Sequence, residues 1–153
     1  MGPDQPSTAG PLQAKWGSSL EQGFVVIPVL LLKRQRELGL DSTEVVILMN
    51  LLAAWWDPDR QPHPRSMTIA QRMGVSVRTV QRTLERLEVK GFLSRKRAAS
   101  GHGAEHRELT SYDMRGTVEK LLQVAEVAQD RRQKIAGGSE VPVPTSTQEA
   151  PVA

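Results

Sequence analysis

Thr68-Ile69-Ala70-Gln71-Arg72-Met73-Gly74-Val75-Ser76-Val77-Arg78-Thr79-Val80-Gln81-Arg82-Thr83-Leu84-Glu85-Arg86-Leu87 decides how this chain folds. It reads as two short helices joined by a tight turn. Ala70 is small enough to let the second helix cross close by. Gly74, four residues on, supplies a left-handed turn that other residues adopt only at a cost. Ser76 suits the N-cap of the next helix. Val80, Leu84 and Leu87 then recur on one face, while Arg78, Arg82 and, further round, Arg86 fall on the other. A helix backed by a small partner helix, with arginines in front, has the geometry of a major-groove reader.

Working outward, Lys90-Gly91 ends the second helix, with Gly91 as its C-cap. Residues 92–97 read as a strand, residues 98–105 with Gly101 and Gly103 as a flexible tip, and residues 106–113 as the returning strand. The pattern carried by Ile69, Ala70, Gly74, Val75, Ser76, Arg78, Thr79, Val80, Arg82, Leu84 and Leu87 resembles the helix-turn-helix of bacterial DNA-binding proteins. With the hairpin behind it, the chain resembles the winged-helix superfamily, and Leu87-Glu88-Val89-Lys90-Gly91-Phe92-Leu93 is similar to a junction common there. The competing reading is an ordinary pair of core helices. The arginine face and the hairpin weigh against it.

The likeness reaches further than the motif. Val26-Ile27-Pro28 with Leu31-Leu32, Leu38-Gly39-Leu40-Asp41 with Glu44, and Tyr112-Asp113-Met114 extend it over residues 24–122. This stretch resembles helix-turn-helix proteins of bacterial, plasmid and phage replication and regulation, including the winged-helix part of DnaD-like primosomal proteins. The resemblance implies DNA binding and a cytoplasmic, non-enzymatic role. It does not tell a regulator from a replication factor. One departure is that no second domain is expected to fit after the last helix.

The expected fold is mainly α with a small β-hairpin wing. Residues 1–22, rich in Pro, Gly, Ser and Gln, are expected to be disordered, with Trp16 as the one residue able to dock. Residues 23–116 form the winged helix-turn-helix domain. Within them Pro28 opens a helix continued over residues 29–38 and stopped by Gly39. Asp41-Ser42 caps the next, with Glu44 at capping-box spacing, and this helix runs to about Trp56. It is apolar nearly all round, so it belongs at the centre of the fold or in an interface, and Trp55 and Trp56 read as core anchors. Residues 57–65, with three prolines, form a loop that ends in the short first strand of a winged helix. Arg115-Gly116 breaks the chain and Thr117 caps a last helix over residues 117–136, a dimer contact through Val118, Leu121, Leu122, Val124, Ala125 and Val127. Residues 137–153 are expected to be a disordered tail.

The net charge of +3 hides an asymmetry. Twelve of the 20 Lys/Arg but only five of the 17 Asp/Glu lie between residues 60 and 115. Basic charge is thus concentrated on the motif and the hairpin, the distribution a nucleic-acid partner requires. With no cysteine, the chain has no disulfide, cysteine-zinc or thiol chemistry, which fits a reducing cytoplasm. No apolar run is long enough to span a bilayer, and no basic region followed by an apolar core opens the chain, so neither a membrane nor a secretory leader is expected.

The expected partner is double-stranded DNA, bound by a homodimer. Arg78 and Arg82 suit guanine, whose O6 and N7 accept both arms of a guanidinium. Thr79 suits a phosphate or a thymine methyl, Gln81 on the flank suits adenine, and Arg86 suits phosphate. Ser76 can combine capping with a phosphate contact at the helix N-terminus. Arg95, Lys96, Arg97 and Arg107 of the wing suit phosphate, although alternation puts Arg95 and Arg97 opposite Lys96. For all four the competing reading is ordinary strand-surface charge. His102 and His106 lie among glycines, with no carboxylate or cysteine to complete a tetrahedral set, so no metal or other cofactor is expected. Asp57 and Asp59 sit in the proline-rich loop, and no catalytic constellation is present. Three functions follow: a transcriptional regulator first, then a plasmid or phage replication initiation or accessory protein, then a protein-interaction module with an incidental basic face.

Overall fold

A computed structural model describes residues 9–100 and 107–138, apart from the side chains of residues 9, 98–100, 107 and 108. The elements are α1 (Ala9–Trp16), α2 (Val29–Lys33), α3 (Ser42–Ala53), α4 (Ser66–Met73), α5 (Val77–Val89), β1 (Ser94–Ser100), β2 (Arg107–Asp113) and α6 (Arg115–Gly137), with a 3₁₀ turn over Gly17–Gln22. This is a mainly helical winged helix with a two-stranded hairpin.

Helix α3 is the centre. The Asp41 carboxylate accepts from the Glu44 N–H at 2.8 Å, and the Glu44 carboxylate accepts from the Asp41 N–H at 2.9 Å, so the capping box forms. Val45, Ile47, Leu48 and Leu51 are buried. They pack with Leu31 of α2, Ile69 and Ala70 of α4, Val80, Leu84 and Leu87 of α5, and Tyr112 of β2. The helix stops at Ala53 and not at Trp56. Pro58 disfavours helical backbone at Asp57, and the last turn tightens as Trp55 donates to the Leu52 carbonyl at 3.0 Å. Trp55 therefore packs on the core, whereas Trp56 is 64% exposed.

Helix α2 is also shorter than expected. It ends at Lys33, and residues 34–39 continue as turns that Gly39 closes at φ 69°. The turn between α4 and α5 matches its sequence. Gly74 takes φ 66°, and Ser76 caps α5 by accepting from the Thr79 N–H at 3.1 Å.

The wing pairs Ser94 with Asp113 through to Ser100 with Arg107 in an antiparallel ladder. Phe92 and Leu93, expected in the strand, lie before it and are buried as anchors. No third strand forms among the described residues. In its place the buried Pro62 offers one carbonyl, which accepts from the Tyr112 N–H at 2.8 Å.

The last helix starts two residues before the expected cap. Thr117 lies inside α6, buried, where its hydroxyl donates to the Phe92 carbonyl at 2.8 Å. Gly116 is helical because α6 crosses the start of the wing there: a Cβ at this position would stand 2.2 Å from the Gly91 carbonyl oxygen. Leu121 is buried and Val124 half-buried, while Leu122 and Val127 face outward.

Residues 9–22, expected to lack structure, are helical. Leu12, Trp16 and Leu20 recur every four residues and line an apolar concavity with residues 23–27. Residues 1–8 and 139–153, including most of the expected tail, lie outside the described residues, as do His102 and His106.

Candidate nucleic-acid interface

Helix α5 buries Val80, Thr83, Leu84 and Leu87 and exposes Arg78, Gln81, Arg82 and Glu85. Its depth is set from behind. Ala70 is buried on α4, and a larger side chain there would push the two helices apart. Arg78, Gln81, Arg82 and Glu85 share a concavity of about 430 Å³ with Arg95, Arg97, Thr110 and Tyr112. Its two walls are the outer face of α5 and the near face of the wing. Four guanidinium groups from two elements thus meet around one open, polar space.

The cap of α5 keeps two hydroxyls at the helix N-terminus. The Ser76 and Thr79 hydroxyls lie 2.9 Å apart, both in exposed residues. The first-turn N–H groups give this end partial positive charge, so the pair stands where an anion is favoured.

Two predicted contact residues are otherwise engaged. Arg86 turns toward α3, donating to Glu44 at 3.3 Å and Asp41 at 3.2 Å. Lys90 joins it, with its ammonium 2.8 Å from both Glu44 carboxylate oxygens and 2.6 Å from the Gly39 carbonyl. Burial raises the Glu44 carboxyl, but Lys90, the Asp41 N–H and Arg86 outweigh it and hold the group below its ordinary range. Arg95 is gripped by Glu88: its backbone N–H donates at 2.9 Å and its Nε at 2.8 Å. These bonds, the backbone one foremost, hold the Glu88 carboxyl low despite partial burial. Arg86 and Arg95 therefore fix the angle of α5 against α3 and of the wing against α5.

Lys96 and Arg97 are exposed, and the backbone of Arg107 pairs with Ser100. The side chain of Arg107 lies outside the described residues. The motif pointed to Arg78, Gln81 and Arg82, and the structure brings them together with Arg97. Sequence reasoning passed over Glu85 in the same concavity and Glu88 beneath Arg95. The signal for Glu85 was its spacing from Arg78 and Arg82, one turn apart on α5.

At the foot of the wing Asp113 is buried and binds the Arg115 guanidinium through both carboxylate oxygens. That guanidinium holds the Asp113 carboxyl down to about 2, against the opposing effect of burial.

A family model for the DnaD N-terminal domain matches residues 27–133. Among solved structures, the N-terminal domain of the DnaD protein from Geobacillus kaustophilus HTA426 is similar with a TM-score of 0.55 and 24% identity, covering 79% of this chain and 96% of that one. A possible transcriptional regulator from Methanosarcina mazei Go1 aligns with a TM-score of 0.42 and 18% identity, covering 69% of this chain and 85% of that one. No curated protein matches the sequence. Among the described residues, no helix is long and apolar enough to cross a membrane.

Proposed function

The chain belongs to the DnaD N-terminal domain family, and on that footing we propose that it binds double-stranded DNA, with α5 in the major groove and the wing over the adjacent backbone. The observation that carries this reading is the shared concavity of Arg78, Gln81, Arg82 and Arg97 between recognition helix and wing. Arg78 and Arg82 donate in pairs to guanine O6 and N7, and Gln81 reaches adenine. Ser76 and Thr79 hold a phosphate at the start of α5, and Arg97, on the face of the wing toward α5, holds one beside the wing, with Arg107 as a further candidate; Lys96 is on the opposite face of the ribbon. Arg86 and Arg95 contribute by fixing the frame.

Promoter control and action at a replication origin use the same interface. Family membership favours a replication role over the transcriptional regulator expected first. The chain acts as a homodimer in this reading, since one winged helix buries a small DNA surface and two half-sites raise affinity together. The exposed Val118 and Leu122 of α6 supply an apolar surface for the second copy. A titration with duplex DNA at two salt concentrations tests the central claim. Binding that weakens steeply with salt, with a footprint on one defined sequence, supports it. Salt-independent binding, or none, refutes it.

A further inference from the structure

Among the described residues, Glu85 is the one carboxylate in a concavity lined by Arg78, Arg82, Arg95 and Arg97. Other described carboxylates around α5 and the wing are engaged. Glu88 is bonded to Arg95, Glu44 to Lys90 and Arg86, and Asp113 to Arg115. Among the described residues the Glu85 carboxylate has no ion pair and accepts no hydrogen bond. It is exposed and stands one turn beyond Arg82, on the face that Arg78 and Arg82 share. A surface built to take only phosphate has no use for an unpaired negative charge on its wall, because that charge repels the ligand.

Resting on the DNA-binding reading above, we infer that Glu85 is a specificity-determining residue that accepts a hydrogen bond from the exocyclic amine of a cytosine in the major groove. Only two groups on the base edges there donate: N4 of cytosine and N6 of adenine. Adenine sets its N7 acceptor beside N6, so a carboxylate reaching for the amine brings its second oxygen against a lone pair. Cytosine has no acceptor beside N4 on that edge. Arg78 and Arg82 meanwhile seek guanine. The three residues together select a run of G·C pairs, with cytosine on the strand facing Glu85 and guanines facing the arginines. Glu85 also lowers affinity for any register that sets a phosphate directly beside it, which sharpens discrimination against non-specific duplex.

The test is a binding selection from a pool of random-sequence duplex DNA, using the full chain as wild type, Glu85→Ala, Glu85→Gln and Arg78→Ala. Thermal melting of each variant checks that it is folded. Wild type should enrich cytosine at one position by ~10-fold over thymine, with guanines nearby. Glu85→Ala should level the bases at that position alone and keep the guanines. Glu85→Gln, which can donate as well as accept, should move the preference toward adenine. An unchanged cytosine preference in Glu85→Ala, or loss of all positions together, overturns the inference and leaves the DNA-binding reading standing. A wild type that binds duplex but enriches no sequence overturns the inference and the base-reading claim together.

Discussion

The Thr117 hydroxyl donates to the Phe92 carbonyl at 2.8 Å, both residues buried, and this bond ties the last helix to the start of the wing. One residue earlier, Gly116 brings the helix so close to Gly91 that no side chain fits. The crossing fixes where β1 leaves α5, and so where the wing stands relative to the recognition helix.

Gly116→Ala should therefore be severely destabilising, because the added methyl meets backbone that cannot step aside. A loss of about 3 kcal/mol is expected from forced overpacking. Thr117→Val should cost about 1–2 kcal/mol by leaving the Phe92 carbonyl buried without a donor. Chemical denaturation of both variants checks the order. Equal stability of Gly116→Ala and wild type would mean the crossing is looser than described.

Arg78→Ala and Arg82→Ala should each weaken binding to the preferred sequence more than to random duplex. The difference should be about 1–3 kcal/mol per arginine. Fluorescence anisotropy with both duplexes measures it. Matched losses on the two would reduce these arginines to phosphate contacts.

The wing arginines should separate by role. Arg97→Ala should reduce the slope of log affinity against log salt by roughly 0.9, and Lys96→Ala, on the opposite face of the ribbon, should reduce it by less. Arg95→Ala should lower the melting temperature and leave that slope nearly intact, because its guanidinium is spent on Glu88. A slope change for Arg95 as large as that for Arg97 would show that Glu88 releases it to DNA.

Acid should loosen the foot of the wing. The Asp113 carboxyl sits near 2 in the folded chain against an ordinary 3.8. Its contribution is complete above the unfolded value, fades as pH falls below about 4, and is gone near 2. Asp113→Asn should be less stable than wild type at pH 7 and should lose less on acidification. Parallel acid curves for the two proteins would assign the acid limb to Glu44 and Glu88, whose carboxyls are also held low.

Leu122→Asp should shift the chain to monomer in sedimentation without lowering its melting temperature. Leu122 is 57% exposed on α6, so the change leaves the core untouched. Leu121 would be a poor probe, since it is buried and an aspartate there is expected to destabilise the fold itself. A monomeric wild type would end the homodimer proposal.

The features legible in the sequence were those written within a few residues of one another. Gly74 and Ser76 set the turn of the motif from within four positions, and Asp41 and Glu44 cap α3 from within three. The arginine face of α5 followed from the period of the helix alone. What could not be read were partners distant in the chain. Lys90 meets Glu44 across 46 residues, and nothing local distinguishes a lysine bound to a buried carboxylate from one in water. Arg86 and Arg95 look like Arg78 in sequence, and only the fold brings Glu44 and Asp41 to the first and Glu88 to the second. Gly116 misled for a physical reason: glycine usually ends a helix, but here it lets one helix pass over a backbone.

The carbonyl of Pro62 that accepts from Tyr112 has a consequence for how these molecules behave in a crowd. A two-stranded ribbon has an outer rim of backbone groups, and a strand from another molecule can dock on such a rim and start a growing sheet. Proline can accept a bond from that rim but has no N–H to return. The loop thus occupies the rung nearest the body and offers no next rung in exchange. Three prolines over residues 57–65 make this a stopper on the β2 edge at the base of the hairpin, where an incoming strand finds no N–H to extend from.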